Sequence, residues 1–267
     1  MKLTPALFAL AFVSTTGAYA QGTSADVADT DLAKQLANPV ANLISLPLQS
    51  NFDFGIGPSD ATRYTLNVQP VIPFELSEDW NLITRTILPI IDVESTAPNV
   101  SSAFGLGDTV QSFFLSPSLP VNGWILGGGP AFLWPTATDD LLGAGQWGAG
   151  PTFVALQQNG PWTYGGLANH IWSYAGDSGR PDVNSTFLNP FVSYVTNTKT
   201  TFTLSPELSY DWRTEQWLAP ANLVVSQLFE IGNQPVQVGL GGRYYFDAPS
   251  GGPEWGIRFN VVFLFPK

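Results

Sequence analysis

Few side chains in this sequence are equipped for covalent or metal chemistry. The chain has one His and no Cys, which removes disulfides, thiolate nucleophiles and thiolate metal sites from consideration. His170 could act as a general base only with a hydroxyl in hydrogen-bond reach, and its polar sequence neighbours are Asn169 and Ser173. The run Thr136-Ala-Thr-Asp-Asp140 offers hydroxyls and carboxylates of the kind that hold Ca²⁺. Its spacing is not that of an EF-hand loop, and acidic loop tips are commonly just solvated. What remains is a set of charged residues standing among apolar or small neighbours: Asp53, Arg85, Glu207, Asp211, Arg243, Asp247 and Arg258. Side chains of this kind either select what passes through a polar interior or pair with one another to fill it.

Which of the two applies depends on the elements that carry them. From residue 43 to 267 the chain divides into twelve segments of alternating or apolar character, starting near Leu43, Arg63, Trp80, Leu106, Gly123, Trp147, Trp162, Ser185, Thr200, Leu218, Pro235 and Glu254. Short connections of turn composition, such as Pro120-Val-Asn-Gly, Gln158-Asn-Gly-Pro and Gly232-Asn-Gln-Pro, alternate with longer ones such as Thr96 to Gly105 and Thr138 to Gln146. That alternation predicts an antiparallel transmembrane β-barrel of twelve strands, with short periplasmic turns, longer extracellular loops and both chain ends in the periplasm.

The aromatic residues give an independent measure. Tyr64 and Phe74, Trp124 and Trp134, Trp162 and Trp172, Phe202 and Trp212, and Trp255 and Phe265 are each ten positions apart. An even separation keeps both rings on one face, and ten tilted steps rise roughly 25 Å, the height of the apolar band of an outer-membrane barrel. In 201–212, Phe202, Leu204, Leu208, Tyr210 and Trp212 then face lipid, while Thr203, Ser205, Glu207, Ser209 and Asp211 face inward. The same parity sends Asp53, Arg85, Arg243, Asp247 and Arg258 to the lumen and His170 to the outside. Closure makes the last strand a neighbour of the first, so Asp53, Arg243 and Arg258 fall on three adjacent strands. Twelve strands give a backbone radius of roughly 12 Å, so the lumen should be narrow or gated rather than an open pore. Pro70, Pro89, Pro130, Pro190, Pro206 and Pro220 fit badly, because a closed barrel has no edge where a missing N–H is harmless. They predict either bulges or shortened strands. The competing soluble sandwich or lipocalin-like barrel leaves the ten-residue aromatic spacing unexplained.

Residues 1–20 read as an export leader, with Lys2 ahead of an apolar stretch from Ala6 to Val13 and the small-x-small site Ala18-Tyr19-Ala20 before Gln21. Residues 21–42 read as a periplasmic lead-in or short plug, with two helical turns expected before Pro39. Removing the leader takes one Lys and no acid from the total, so the formal net charge moves from -11 to -12. An acidic chain of this kind is not built for nucleic acid, which rewards clustered Lys and Arg. Only 12% of residues are charged and 13% are aromatic, with a mean hydropathy of +0.09. Ordinary soluble domains carry about 25% charged residues, so such a chain either buries most of its surface or presents it to lipid.

Several stretches resemble the outer-membrane family named for the MetA pathway of phenol degradation. They are Asn38-Pro-Val-Ala-Asn-Leu-Ile-Ser-Leu-Pro, Phe52-Asp-Phe-Gly-Ile-Gly-Pro, Asn67-Val-Gln-Pro-Val-Ile-Pro, Pro135-Thr-Ala-Thr-Asp-Asp-Leu-Leu-Gly, Leu167-Ala-Asn-His-Ile-Trp-Ser and Arg258-Phe-Asn-Val-Val-Phe-Leu-Phe-Pro-Lys. The resemblance runs over almost the whole mature chain and implies a transporter-like barrel. It brings no catalytic or ligand residues, and it suggests aromatic or hydrophobic compounds as solutes.

The sequence therefore predicts an outer-membrane channel or diffusion transporter for small molecules, without enzymatic activity, cofactor or metal. Its expected partners are membrane lipids, a small solute and the barrel-assembly machinery during insertion, with no nucleic acid among them. Two rival classes are a lipid-active enzyme built on His170, in the manner of an outer-membrane phospholipase, and a structural or adhesion barrel acting through its outer loops.

Overall fold

The computed structural model describes residues 32–266; the leader and residues 21–31 of the lead-in lie outside the described residues. Fifteen β elements build twelve barrel strands. In chain order they are β1 (Ile44–Ile56), β2 (Ala61–Val68) with β3 (Val71–Glu75), β4 (Trp80–Val93), β5 (Ala103–Leu106) with β6 (Thr109–Pro117), β7 (Trp124–Trp134), β8 (Gln146–Asn159), β9 (Trp162–Gly176), β10 (Asn184–Val195), β11 (Thr200–Pro206) with β12 (Leu208–Asp211), β13 (Gln216–Ile231), β14 (Gln234–Asp247) and β15 (Trp255–Phe265). Each barrel strand pairs antiparallel with the next, and β15 pairs with β1 from Ile44↔Phe265 to Phe54↔Trp255, which closes the cylinder. Closure is what a strand protein in lipid requires, since no backbone donor or acceptor is left facing hydrocarbon.

Local chemistry fixes the hairpins. Between β6 and β7, Val121 and Trp124 exchange both backbone hydrogen bonds, at 2.8 and 3.0 Å. The two residues between them, Asn122 and Gly123, have φ of 51° and 82°, the pair of positive angles that a two-residue turn needs to match strand twist and that Asn-Gly tolerates best. The short turns gather at one end of the barrel and the long loops at the other.

The prolines resolve in two ways. The register slips by one residue at Gly107–Asp108, between β5 and β6, and again between Asp53 and Ile56, between Trp147 and Gly148 and between Ala219 and Pro220. Two of these bulges involve a proline: Pro89 lies opposite the first, its carbonyl accepting from the Gly107 N–H at 2.9 Å, and Pro220 lies at the last. Elsewhere proline opens the ladder without changing register. Pro190 stands opposite Pro206, and the β10 ladder is unpaired from 189 to 191, between its contacts with β11 and β12. Pro130 faces Pro151 across β7 and β8, and the rungs each would make on its other side, to Phe113 and to His170, are missing.

The outward face carries the aromatic pairs. Phe74, Trp124, Trp162, Trp172, Phe202, Trp212, Trp255 and Phe265 are exposed, while Tyr64 and Trp134 are partly covered by Phe52 at 4.7 Å and Trp147 at 5.5 Å between ring centroids. Mid-barrel, Leu204, Leu223, Val225, Leu240 and Phe259 complete an apolar belt. The inward face is not uniformly polar. Toward the short turns it is lined by Val71, Ile83, Phe114, Val154, Leu156, Val195, Leu228 and Leu264. The N-terminal segment explains this, because a helical turn at 32–36 and the stretch up to Leu43 lie inside the barrel, burying Ala33, Val40, Ala41 and Leu43 against that layer. Gly127 leaves the room: a Cβ there would meet Val154 at 2.9 Å and Val40 at 3.4 Å.

Candidate functional site

Toward the long loops the lumen becomes polar, and the charges gather on β1, β2, β14 and β15. Asn51 and Asp53 sit two apart on β1 and so point the same way. Opposite them in register are Arg258 on β15 and Arg63 on β2. Asn51 Oδ1 accepts from Arg258 Nε at 2.8 Å and from Arg243 Nη1 at 2.9 Å. Asp53 Oδ2 pairs with Arg63 Nη2 at 3.2 Å, and Asp53 Oδ1 accepts from the Tyr245 hydroxyl at 2.8 Å. That hydroxyl in turn accepts from Arg243 Nη2 at 2.9 Å. Arg243 Nε lies 3.1 Å from Asp53 Oδ1, a charge contact whose angles do not make it a hydrogen bond, so the nitrogen has no hydrogen-bond partner.

Glu207 completes the cluster from three strands away. It occupies the break between β11 and β12, where its N–H donates to Pro220 O at 2.9 Å. Its carboxylate takes both terminal nitrogens of Arg258, each at 2.8 Å, and lies 3.5 Å from Arg243 Nη1. This bidentate fork is the strong form of the Arg–carboxylate pair, and it ties the wall at β12 to the wall at β15.

Of the seven charges singled out in the sequence, four meet here: Asp53, Glu207, Arg243 and Arg258. Arg85 stands apart from their bonds, donating one hydrogen bond from Nη2 to Gln69 Oε1 at 2.8 Å. Asp211 and Asp247 sit at the long-loop rim. Asp211 Oδ1 accepts from the Arg213 N–H at 2.8 Å, and Asp247 is exposed beyond the bulge at Ala219. Asn51, Arg63, Gln69 and Tyr245 belong to the site and were not singled out. Parity alone assigned them inward; neutral type hid Asn51 and Gln69, a residue type expected at the rim hid Tyr245, and Arg63, though charged, stands at the start of its segment beside a loop.

His170 points outward, as its parity implies. Its Nδ1 lies 2.7 Å from Thr186 Oγ1, its ring is 4.0 Å from that of Trp172, and Trp212 Nε1 donates to the same Thr186 hydroxyl at 2.8 Å. Ser173 is occupied elsewhere, accepting from the Val183 N–H at 3.0 Å. The groups at 136–140 order their own loop. Thr136 Oγ1 bonds Thr109 N and Gly107 O at 2.9 Å each, Thr138 Oγ1 accepts from Leu106 N, Asp139 caps Leu141 N, and Asp140 pairs with Arg180 at 2.9 Å.

Two cavities run through the lumen. The upper one, about 370 Å³, is bordered by Arg85, Glu207 and Gln49 on one side and by Leu167, Ile171 and Phe187 on the other. The lower one, about 240 Å³, lies beside the N-terminal segment, between residues 35–41 and a wall that includes Ser45, Phe191 and Thr203. Gln69, Arg85 and Asn189 border both, so these three residues form the waist between the two cavities.

No protein-family model matches the chain, and no curated protein matches it. Solved structures do. The COG4313 outer membrane channel from Pseudomonas putida F1 superposes with a TM-score of 0.66 at 15% identity, covering 84% of this chain and 96% of that one. The NanC porin superposes with a TM-score of 0.51 at 12% identity, covering 83% of this chain and 100% of that one. The fold is thus that of outer-membrane barrels, closed, antiparallel and twelve-stranded.

Proposed function

We propose that this protein is an outer-membrane channel that passes small, partly apolar solutes through a lumen narrowed by its own N-terminal segment. The observation that carries this reading is unfilled volume inside the barrel, two cavities that meet at the waist of Gln69, Arg85 and Asn189, while the surrounding outer face is an apolar belt. A purely structural barrel of this radius has no need of unfilled volume, which forfeits packing contacts.

The segment 32–43 is held in a way suited to displacement. Among the described residues its side-chain hydrogen bonds to the barrel strands run from Gln158 Nε2 to Lys34 O at 2.8 Å and from Asn42 Nδ2 to Glu75 Oε1 at 3.5 Å. Otherwise it packs by apolar contact, Val40 against the layer of Ile83 and Phe114, and Ala33, Ala41 and Leu43 against Val195, Leu228 and Leu264. Apolar contact is non-directional, so the segment can slide or withdraw without leaving buried charges unpaired. Aromatic or hydrophobic solutes, suggested by the family resemblance, are consistent with a wall that includes Leu167, Ile171, Phe187 and Phe191. The alternative of lipid hydrolysis at His170 lacks support, since the hydroxyl in reach belongs to Thr186, which already bonds Trp212. The refolded chain in planar bilayers should show small, discrete conductance steps, and liposomes containing it should swell in small solutes and resist large ones. Tight liposomes and silent bilayers would overturn the channel reading.

A further inference from the structure

Resting on the channel reading, we infer that Arg85, with Gln69, forms a subsite at the lumen waist for the carboxylate of a small amphipathic anion. The apolar body of that anion lies against Leu167, Ile171 and Phe187.

The first ground is the sign of the lumen. The waist and the ion cluster above it together carry four guanidiniums, Arg63, Arg85, Arg243 and Arg258, against two carboxylates, Asp53 and Glu207. The difference is two positive charges, in a chain whose formal net charge is -11. This group of charges is therefore of opposite sign to the molecule as a whole.

The second ground is how those cations are committed. Arg63, Arg243 and Arg258 each pair with a carboxylate at 2.8 to 3.5 Å. Arg85 makes no such contact among the described residues, and Glu207, already held by Arg258, acts on it only through space. A guanidinium has five N–H donors, and only one bond, to Gln69, is formed. The unused nitrogens are not among the buried orphan atoms of the described residues, so they face the cavity space that Arg85 borders above and below. Gln69, 5% exposed, spends its carbonyl oxygen on Arg85 and thereby turns its amide NH₂ to the same space. Two adjacent donor groups, one charged, border that space, and their N–H groups beyond the Arg85–Gln69 bond are uncommitted among the described residues.

The third ground is what lies opposite. Glu207 borders the upper cavity and would repel an anion, but Arg258 holds it in a bidentate pair. The wall beyond is Leu167, Ile171 and Phe187. A guanidinium in a confined space facing an aliphatic and aromatic wall matches a solute with a carboxylate at one end and an apolar group at the other. A cavity of about 370 Å³ falls within the usual range for small-ligand sites, about 300 to 1,000 Å³. The acids at the long-loop rim, such as Asp177, Asp182 and Glu215, are exposed. Their field is screened within about 8 Å at physiological salt, whereas Arg85 acts on a solute in contact.

Benzoate is a suitable probe, with acetate (same charge, no apolar body) and benzamide (same body, no charge) as its controls. In planar bilayers the full mature chain should be anion-preferring by reversal potential, and benzoate should half-block its current at a concentration about tenfold below either control. Arg85→Gln should raise the benzoate half-block about tenfold, the loss of one charge-assisted contact, and move the reversal potential toward cations, whereas Arg85→Lys should retain most of both. Gln69→Leu should weaken the block by a smaller factor and serves as the second variant if Arg85→Gln does not fold. Equal block by benzamide and benzoate, or benzoate block unchanged in Arg85→Gln, would overturn the subsite. If the wild type does not conduct, the channel reading falls on its own. Equilibrium dialysis of benzoate against the detergent-solubilised protein then still decides the subsite, because binding must be present in the wild type and lost in Arg85→Gln.

Discussion

Replacing Arg258 by Gln separates the two roles that lumen charges can play. Arg258 is 4% exposed and makes three bonds at 2.8 Å, two to Glu207 and one to Asn51. Without the guanidinium, the one ion pair left to Glu207 among the described residues is with Arg243, at 3.5 Å, with Arg85 acting only through space, so the carboxylate sits in the lumen poorly compensated. Breaking a buried pair from one side costs about 3 to 5 kcal/mol; because 24% of the Glu207 side chain is exposed, the lower end, about 3 kcal/mol, is expected. Glu207→Gln added to Arg258→Gln should recover part of this, since the stranded charge is removed, giving a coupling of about 2 kcal/mol in a double-mutant cycle. Urea unfolding in lipid vesicles, followed by fluorescence of the nine Trp, measures the stabilities. The temperature at which the compact band is lost on a gel gives an independent ranking. Arg258→Gln also removes one lumen charge, as Arg85→Gln does, so reversal potential distinguishes them: the larger shift should come from Arg85. A stable Arg258→Gln variant, within about 0.5 kcal/mol of wild type and with the larger selectivity shift, would refute the division of roles.

Three further outcomes follow from the same geometry. Leu204→Arg, on the lipid face at mid-height, should cost roughly 2 to 4 kcal/mol in folding, and Trp134→Arg near the rim clearly less; equal costs in vesicle unfolding would contradict the assigned depths. Asn189→Leu should lose the bonds to Ser205 Oγ and Pro206 O, each 2.8 Å, that bridge the opened ladder, lowering stability by about 1 to 3 kcal/mol and raising baseline current noise; an unchanged urea midpoint would show that the seam needs no latch. In a chain without native Cys, Val40→Cys should react with a water-soluble thiol reagent far more slowly than the exposed Asn42→Cys, and similar rates would mean that the segment leaves the lumen.

Strand count, facing and turn positions were legible because each rests on a short-range rule. Ten-residue aromatic spacing depends only on the two-residue strand period and the thickness of the membrane, and Asn122-Gly123 announces its turn by itself. The inner face was harder. Ile83, Phe114, Leu156 and Leu264 break the expected polar alternation, and they do so because a segment more than 40 residues away from three of them folds back into the barrel. No local pattern encodes that contact. Parity grouped Asp53, Glu207, Arg243 and Arg258 on the inner face, but it also admitted Asp211 and Asp247, which the structure leaves at the rim. Depth along a strand and the bulge at Ala219–Pro220, neither of which parity registers, account for that difference. Asn51 and Gln69 organise the arginines while carrying no charge, so a search for charges passes over them.

The placement of Glu207 joins the prolines to the ion cluster. Pro206 faces Pro190 where β10 and its neighbour lose three successive rungs of ladder, a weakness in a wall that must otherwise leave no backbone group unpaired. Asn189 closes part of the gap with its side-chain amide. Glu207, the residue after Pro206, anchors its own N–H on Pro220 and reaches across the lumen to Arg258 and, more distantly, Arg243. The strand that is loosest along its edge is thereby tied through the interior to β14 and β15. The network holds the cross-section of the barrel at the height where the ladder cannot, and this requires Arg243 and Arg258 to stay bonded. Arg85, outside the network and next to the same height, is left as the cation with donors to offer a passing solute.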